Sequence, residues 1–155
     1  MSFKMHRVHV WSGVVVDEPG GVAAKLSLLS HAGANLEYVY TQRSADQSGK
    51  GLLCVAPLVG ADQHRIAKEA GLCETQEPIV MRLEGDNDAG LASRVKQEWA
   101  KAGINLHGAC MTVMGSRFVG YVTFDSVHDA NEAARILAEV GMDSKHVTAS
   151  VNGRH

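Results

Sequence analysis

Asp17-Glu18-Pro19-Gly20-Gly21-Val22-Ala23 returns, altered, as Asp86-Asn87-Asp88-Ala89-Gly90-Leu91-Ala92. Beyond each stretch, Ala32-Gly33-Ala34-Asn35-Leu36 is matched by Ala102-Gly103-Ile104-Asn105-Leu106. The first pair is offset by 69 residues and the second by 70, which predicts one residue inserted within the second of the two helices. Gly71 and Gly141 close the two stretches, again at an offset of 70. Three anchors in the same order mark an internal repeat. Two modules of similar fold are expected, residues 1–77 and 78–155, joined near Gln76-Glu77-Pro78.

Working outward from these anchors, each half gives the same run of elements. Val8, Val10, Val14 and Val16 alternate with other residues, which predicts a strand over 6–16. Asp17 to Gly20 is a helix-start signal with Pro19 in the first turn, and Gly33 is the stop. Val22, Leu26 and Leu29 mark the apolar face between them. Strands over 36–43 and 51–58 and a short helix over 61–70 follow. In the second half a strand over 79–84 precedes a helix whose face is Leu91, Val95, Trp99 and Ala102. Met111-Thr112-Val113-Met114 and Phe118 to Phe124 flank Gly115-Ser116, a two-residue hairpin signal. Ala130, Ala133, Ala134, Leu137 and Val140 line another helix, and 146–151 reads as a last strand. The order β-α-β-β-α-β, twice, is the ferredoxin-like pattern of the α+β class: an antiparallel sheet with two helices on one face.

Composition narrows the function classes. Of 155 residues, 45% are hydrophobic and 21% charged, which excludes a disordered tail or a disulfide scaffold. Seven basic residues meet eight acidic ones in 1–77, and eight meet nine in 78–155, so each half stands at −1. A protein that grips nucleic acid by neutralising phosphates is not expected. Cys54, Cys73 and Cys110 are odd in number and unpaired in spacing, which fits reduced thiols in a cytoplasmic setting. The N-terminal Met1 to Arg7 lacks the apolar stretch of a signal peptide, and no run reaches membrane-spanning length.

The loop Asp17 to Ala23, followed by Ala32-Gly33-Ala34-Asn35-Leu36, resembles the ACT domain, a small βαββαβ regulatory module that typically binds amino acids. The second half resembles a more diverged copy: Gly90-Leu91-Ala92 and Gly103-Ile104-Asn105-Leu106 follow the family pattern, while Asp88-Ala89 stands where the family has Pro-Gly. The pair is similar to the bacterial stand-alone tandem proteins grouped with the glycine cleavage system repressor. The resemblance implies a ligand site at the strand-to-helix loop and the strand that follows. It selects Asp17, Pro19, Gly20, Gly21 and Asn35 in the first half, and Asp86, Asn87, Asp88, Ala89 and Asn105 in the second.

Physical chemistry allows two roles for these residues. Free N–H groups at a helix start and the helix dipole suit a carboxylate, with Asp17 or Asn35 facing an ammonium. Equally, Asp17 serves as a helix cap and Asn35 and Asn105 as turn supports. Asp86 and Asp88 are the acidic pair that best fits a structural role, so the first loop is the favoured ligand site.

Other chemistry finds no constellation. The eight histidines show no ligand-pair spacing, no serine sits in a G-x-S-x-G elbow, and no phosphate loop is present. No catalytic residue, metal or cofactor is expected. Arg7, His9 and Trp11 share strand parity, which marks either a solvated face or a partner surface. Three readings follow. The leading one is a non-catalytic, homodimeric sensor of a small molecule, an amino acid. The rival is a ligand-free interaction module that dimerises and docks on an enzyme or regulator. A small enzyme on the same fold is the third.

Overall fold

The computed structural model describes the backbone of residues 2–76, 78–140 and 146–150, and the side chains of 3–76 and 78–140. Contacts divide the chain into two units, His9–Gln76 and Met1–Val8 with Glu77–Arg154. We call these the first and second modules.

The first module runs β2 (Trp11–Val16), α1 (Gly21–His31), β3 (Tyr38–Arg43), β4 (Lys50–Ala56), α2 (Gly60–Glu69) and β5 (Cys73–Glu74). Its sheet order is β3-β4-β2-β5, antiparallel throughout. Alternation sets its two faces. Trp11 and Val15 pair with Val55 and Gly51 and turn inward, whereas Val14 pairs with Leu52 and turns outward. The inward set packs with Leu29 of α1 and Ala67 of α2 into one core.

The second module runs β6 (Ile79–Asp86), α3 (Leu91–Lys101), β7 (Leu106–Met114), β8 (Arg117–Phe124), α4 (Val127–Val140) and β9 (His146–Ser150). Its sheet has a fifth strand, β1 (Ser2–Val8), in the order β7-β8-β6-β1-β9. β1 runs antiparallel to β6 and parallel to β9, so this sheet is antiparallel at every pairing but one. The single strand expected over 6–16 is therefore two. Val8 ends β1, Trp11 begins β2, and the two strands lie in different sheets. Relative to modules of 1–77 and 78–155, the first eight residues change sides, because Phe3 and Met5 complete the second core at 1% exposure each.

The same break removes the face expected to carry Arg7, His9 and Trp11. Trp11 is a core residue, 4% exposed, stacked on His64 at 5.0 Å between ring centres. Trp99 anchors the other core. Its Nε1 donates to the Ala133 carbonyl at 3.0 Å, and its ring meets Phe124 edge-on at 5.6 Å. Both folds are thus the ferredoxin-like βαββαβ type, one of them with a strand added from the chain's beginning.

Candidate functional site

The repeat aligns at an offset of 70 from the loop onward. Gly20 and Gly90 each precede the helix with φ near +85° (87° and 84°), a region that side-chain-bearing residues avoid. Gly33 and Gly103 end the helices with φ of 82° and 76°. Backbone bonds repeat the match: Asp17 N donates to Gly49 O, as Asn87 N does to Ser116 O. Glu18 O accepts from Gly21 N, and Asp88 O from Leu91 N, both at 3.1 Å. No residue is inserted within the helices, both of which have 11 residues. The shorter offset read from the sequence had paired Gly21 with Gly90. The left-handed backbone instead pairs Gly20 with Gly90, Asp17 with Asn87 and Gly21 with Leu91.

The first loop is closed. Glu18 N donates to Val16 O at 2.9 Å, folding the loop back on β2. A Cβ on Gly21 would lie 2.3 Å from that same carbonyl oxygen, so only glycine fits. Asp17 does not cap α1, which has no side-chain cap; its carboxylate pairs with Arg43 Nε at 2.9 Å. Asn35 is exposed.

The second loop is open. Leu91 stands where Gly21 stands in the first module, and it is 6% exposed. Among the described residues, Asp88 N makes no bond to Asp86 O corresponding to the one from Glu18. Between this loop, α3 and the strands β7 and β8 lies a cavity of about 400 Å³. Its floor is apolar: Phe3, Leu83, Leu91, Val95, Trp99, Phe118, Val122 and Leu137. Ala109 and Met111 of the edge strand β7 form one wall. The polar side chains stand together toward the start of α3: Asn87, Asp88, Ser93 and Lys96.

The start of α3 and Lys96 suit an anionic end of a ligand, whereas Asp88 suits a cationic one. The amides of Ala92 and Ser93, in the first turn of α3, take no partner among the described residues. A helix start with free N–H groups favours negative charge. Lys96, in the second turn of the same helix, is exposed and has no ion-pair partner among the described residues. Asp88 is held by Arg94 Nη2 at 2.9 Å, which ties the loop to the helix.

The residues singled out in the sequence therefore separate. Asn87, Asp88 and Ala89 line the cavity; Asp86 and Asn105 do not. Asp86 instead pairs with Arg117 across β6 and β8 at 2.9 Å. The cavity lies at the second loop, whereas the sequence had favoured the first. Phe3, Lys96, Trp99, Ala109 and Met111 were not singled out as site residues. Trp99 was readable as an inward helix residue, and Lys96 follows one turn after Ala92 on that face, but Phe3 comes from a strand whose destination no local signal gives.

Three free cysteines are present, of which Cys54 is half-buried and has its thiol pKa pushed up by burial. Among the described residues no group of three or more His, Cys, Asp or Glu is placed to hold a metal. Nor is any helix among them long and apolar enough to cross a membrane.

No family model matches the chain, and no curated protein sequence does. Solved structures share its fold. Protein BT0572 from Bacteroides thetaiotaomicron superposes with a TM-score of 0.70 at 12% identity, over 86% of this chain and 88% of that one. The regulatory subunit of aspartate kinase from Thermus thermophilus, in its ligand-free form, gives 0.59 at 13% identity, over 92% and 97%. Aspartokinase III of E. coli, in complex with aspartate and ADP, gives 0.56 at 12% identity, over 89% of this chain and 32% of the enzyme. At these identities the likeness is one of fold. The regulatory subunit of aspartate kinase thus shares this chain's fold over nearly its whole length.

Proposed function

We propose that this protein is a non-catalytic regulator that senses a small molecule, an amino acid, in the cavity of its second module. The observation that carries this reading is the cavity itself. About 400 Å³ of space opens at one of the two loops that the repeat marks, with an apolar floor and grouped polar side chains. That is the make-up of a small-ligand site. The amides of Ala92 and Ser93, with Lys96, receive the carboxylate, and Asn87 and Asp88 face the ammonium. The shared fold supports the reading, since one solved neighbour is a kinase's regulatory subunit.

In this reading the protein does no chemistry and the signal is conformational. A ligand shifts an equilibrium only by its difference in affinity between two states. The ligand would act on the 86–90 loop and the edge strand β7, which border the cavity. Each sheet also leaves open edges, β3 and β5 in one and β7 and β9 in the other, and a homodimer that covers such edges is part of the proposal. Three free thiols and the near-neutral charge support a cytoplasmic protein with no membrane or nucleic acid partner.

A second reading, a ligand-free interaction module, is favoured by the outer face of the first sheet. Val14, Val16, Leu52 and Tyr40 are 58%, 56%, 39% and 42% exposed there. A thermal-shift screen against the twenty amino acids separates the two. A ligand at 100 times its dissociation constant adds about 2.7 kcal/mol, a shift of several degrees. One clear hit is the expected result. A flat screen with a melting point that rises with protein concentration would transfer the function to the sheet face.

A further inference from the structure

We infer that the ligand carries an apolar side chain and buries it within the second module alone, between α3 and the β7–β8 hairpin. This rests on the reading that the cavity is the ligand site, and adds the chemical class that the site accepts. The interior surface offers Phe3, Leu91, Trp99, Phe118 and Val122, with no charged or amide side chain among them. The polar side chains that line the cavity, Asn87, Asp88, Ser93 and Lys96, all belong to the 86–90 loop and to α3. A ligand with its polar head at the loop therefore places its side chain among carbon atoms. A hydroxyl or carboxylate there would lose water and gain no partner, whereas an aliphatic or aromatic group would gain from burial.

The walls add to this selection. Ala109, Met111 and Val113 pair with Val122, Gly120 and Phe118, so they share the sheet face of the floor. Yet Met111 and Val113 are 52% and 45% exposed, large apolar side chains on the sheet face that carries the floor. An apolar side chain in the cavity would give Met111, which lines it, a packing partner. Methionine suits such a wall, because its unbranched thioether adapts to different shapes. Beneath it, Gly120 keeps the floor low: a Cβ there would come 3.0 Å from the Cys110 carbonyl oxygen. The volume, about 400 Å³, is at the small end of ligand pockets and leaves room for one amino acid.

Calorimetric titration of the full chain tests this directly. Leucine, isoleucine, methionine and phenylalanine are compared with glycine, serine and aspartate. At least one of the apolar four is expected to bind tenfold or more tighter than any of the polar three. Ala109→Phe fills the cavity from an exposed strand position and is expected to reduce that binding more than tenfold, with the melting temperature unchanged or raised. Lys96→Met alters only an exposed side chain, so folding is not at stake, and it is expected to weaken binding several-fold. Tightest binding by glycine, serine or aspartate, still lost in Ala109→Phe, would overturn the apolar class and leave amino-acid sensing standing. Binding that neither substitution disturbs would overturn the cavity as the site. Failure of all four apolar amino acids to bind would overturn the inference, and a flat screen of all twenty would overturn the reading beneath it.

Discussion

Two loops of one design, Asp17–Gly20 and Asn87–Gly90, share their backbone turns and differ in whether they leave room for a ligand. Both start a helix of 11 residues from a left-handed glycine. Both are tied at their base by one amide-to-carbonyl bond to the next hairpin. They part at the first helical residue. Gly21 lets the chain fold onto the Val16 carbonyl, and the loop closes on its own strand. Leu91 needs space inward, and its loop stands off from the sheet over an apolar hollow. The two loops thus differ at the first residue of the helix, glycine in one and a buried leucine in the other. The cavity described lies beside the second of them.

The largest expected effect tests which strands belong to which module. Phe3→Ala should destabilise the second module by about 3–5 kcal/mol, the usual loss for a buried phenylalanine. Urea unfolding followed by Trp99 emission, in a background where Trp11 is phenylalanine, reads that module. A loss below about 1 kcal/mol would return β1 to the first module. Next comes the residue at which the loops part. Gly21→Leu places the second module's residue into the first, where the Cβ has 2.3 Å to a backbone oxygen. Overpacking of this kind costs about 1–3 kcal/mol, and the melting temperature should fall accordingly. An unchanged melting point would mean that the loop opens at no cost, and that glycine is not what closes it.

The smallest effect tests what the loops share. Gly20→Ala and Gly90→Ala meet open space at their Cβ, with nothing closer than 3.7 Å, so only the backbone opposes them. Each should cost about 1–2 kcal/mol, the strain of a left-handed residue. The two costs should be equal within error. A clear inequality would mean that the two helix starts are not equivalent after all.

Much of this was legible in the sequence. Strand alternation and helix faces placed most elements, because each half buries one face of each element and repeats the plan. Gly33 and Gly103 were readable as helix stops for the same reason that they are conformationally needed. The loop register was not readable at the level of identity. Asp and Gly recur in both loops, and matching letters favoured an offset of 69 where the backbone requires 70. Val8-His9-Val10-Trp11 reads as unbroken strand, since no glycine or proline interrupts it. The break is made by β6, more than 70 residues on, which takes Phe3 and Met5 as cross-strand partners of Gly85 and Leu83. The cavity was hidden for a similar reason. It depends on how far β7 stands from α3, and no local pattern encodes that distance.

The most direct test of the account is hydrogen exchange by mass spectrometry on the full chain, with and without the tightest-binding amino acid. Slower exchange is expected over residues 87–99 and 106–122, with residues 17–43 unchanged. Protection confined to 17–43, around Asp17, Gly20 and Asn35, would contradict it and restore the first loop as the site.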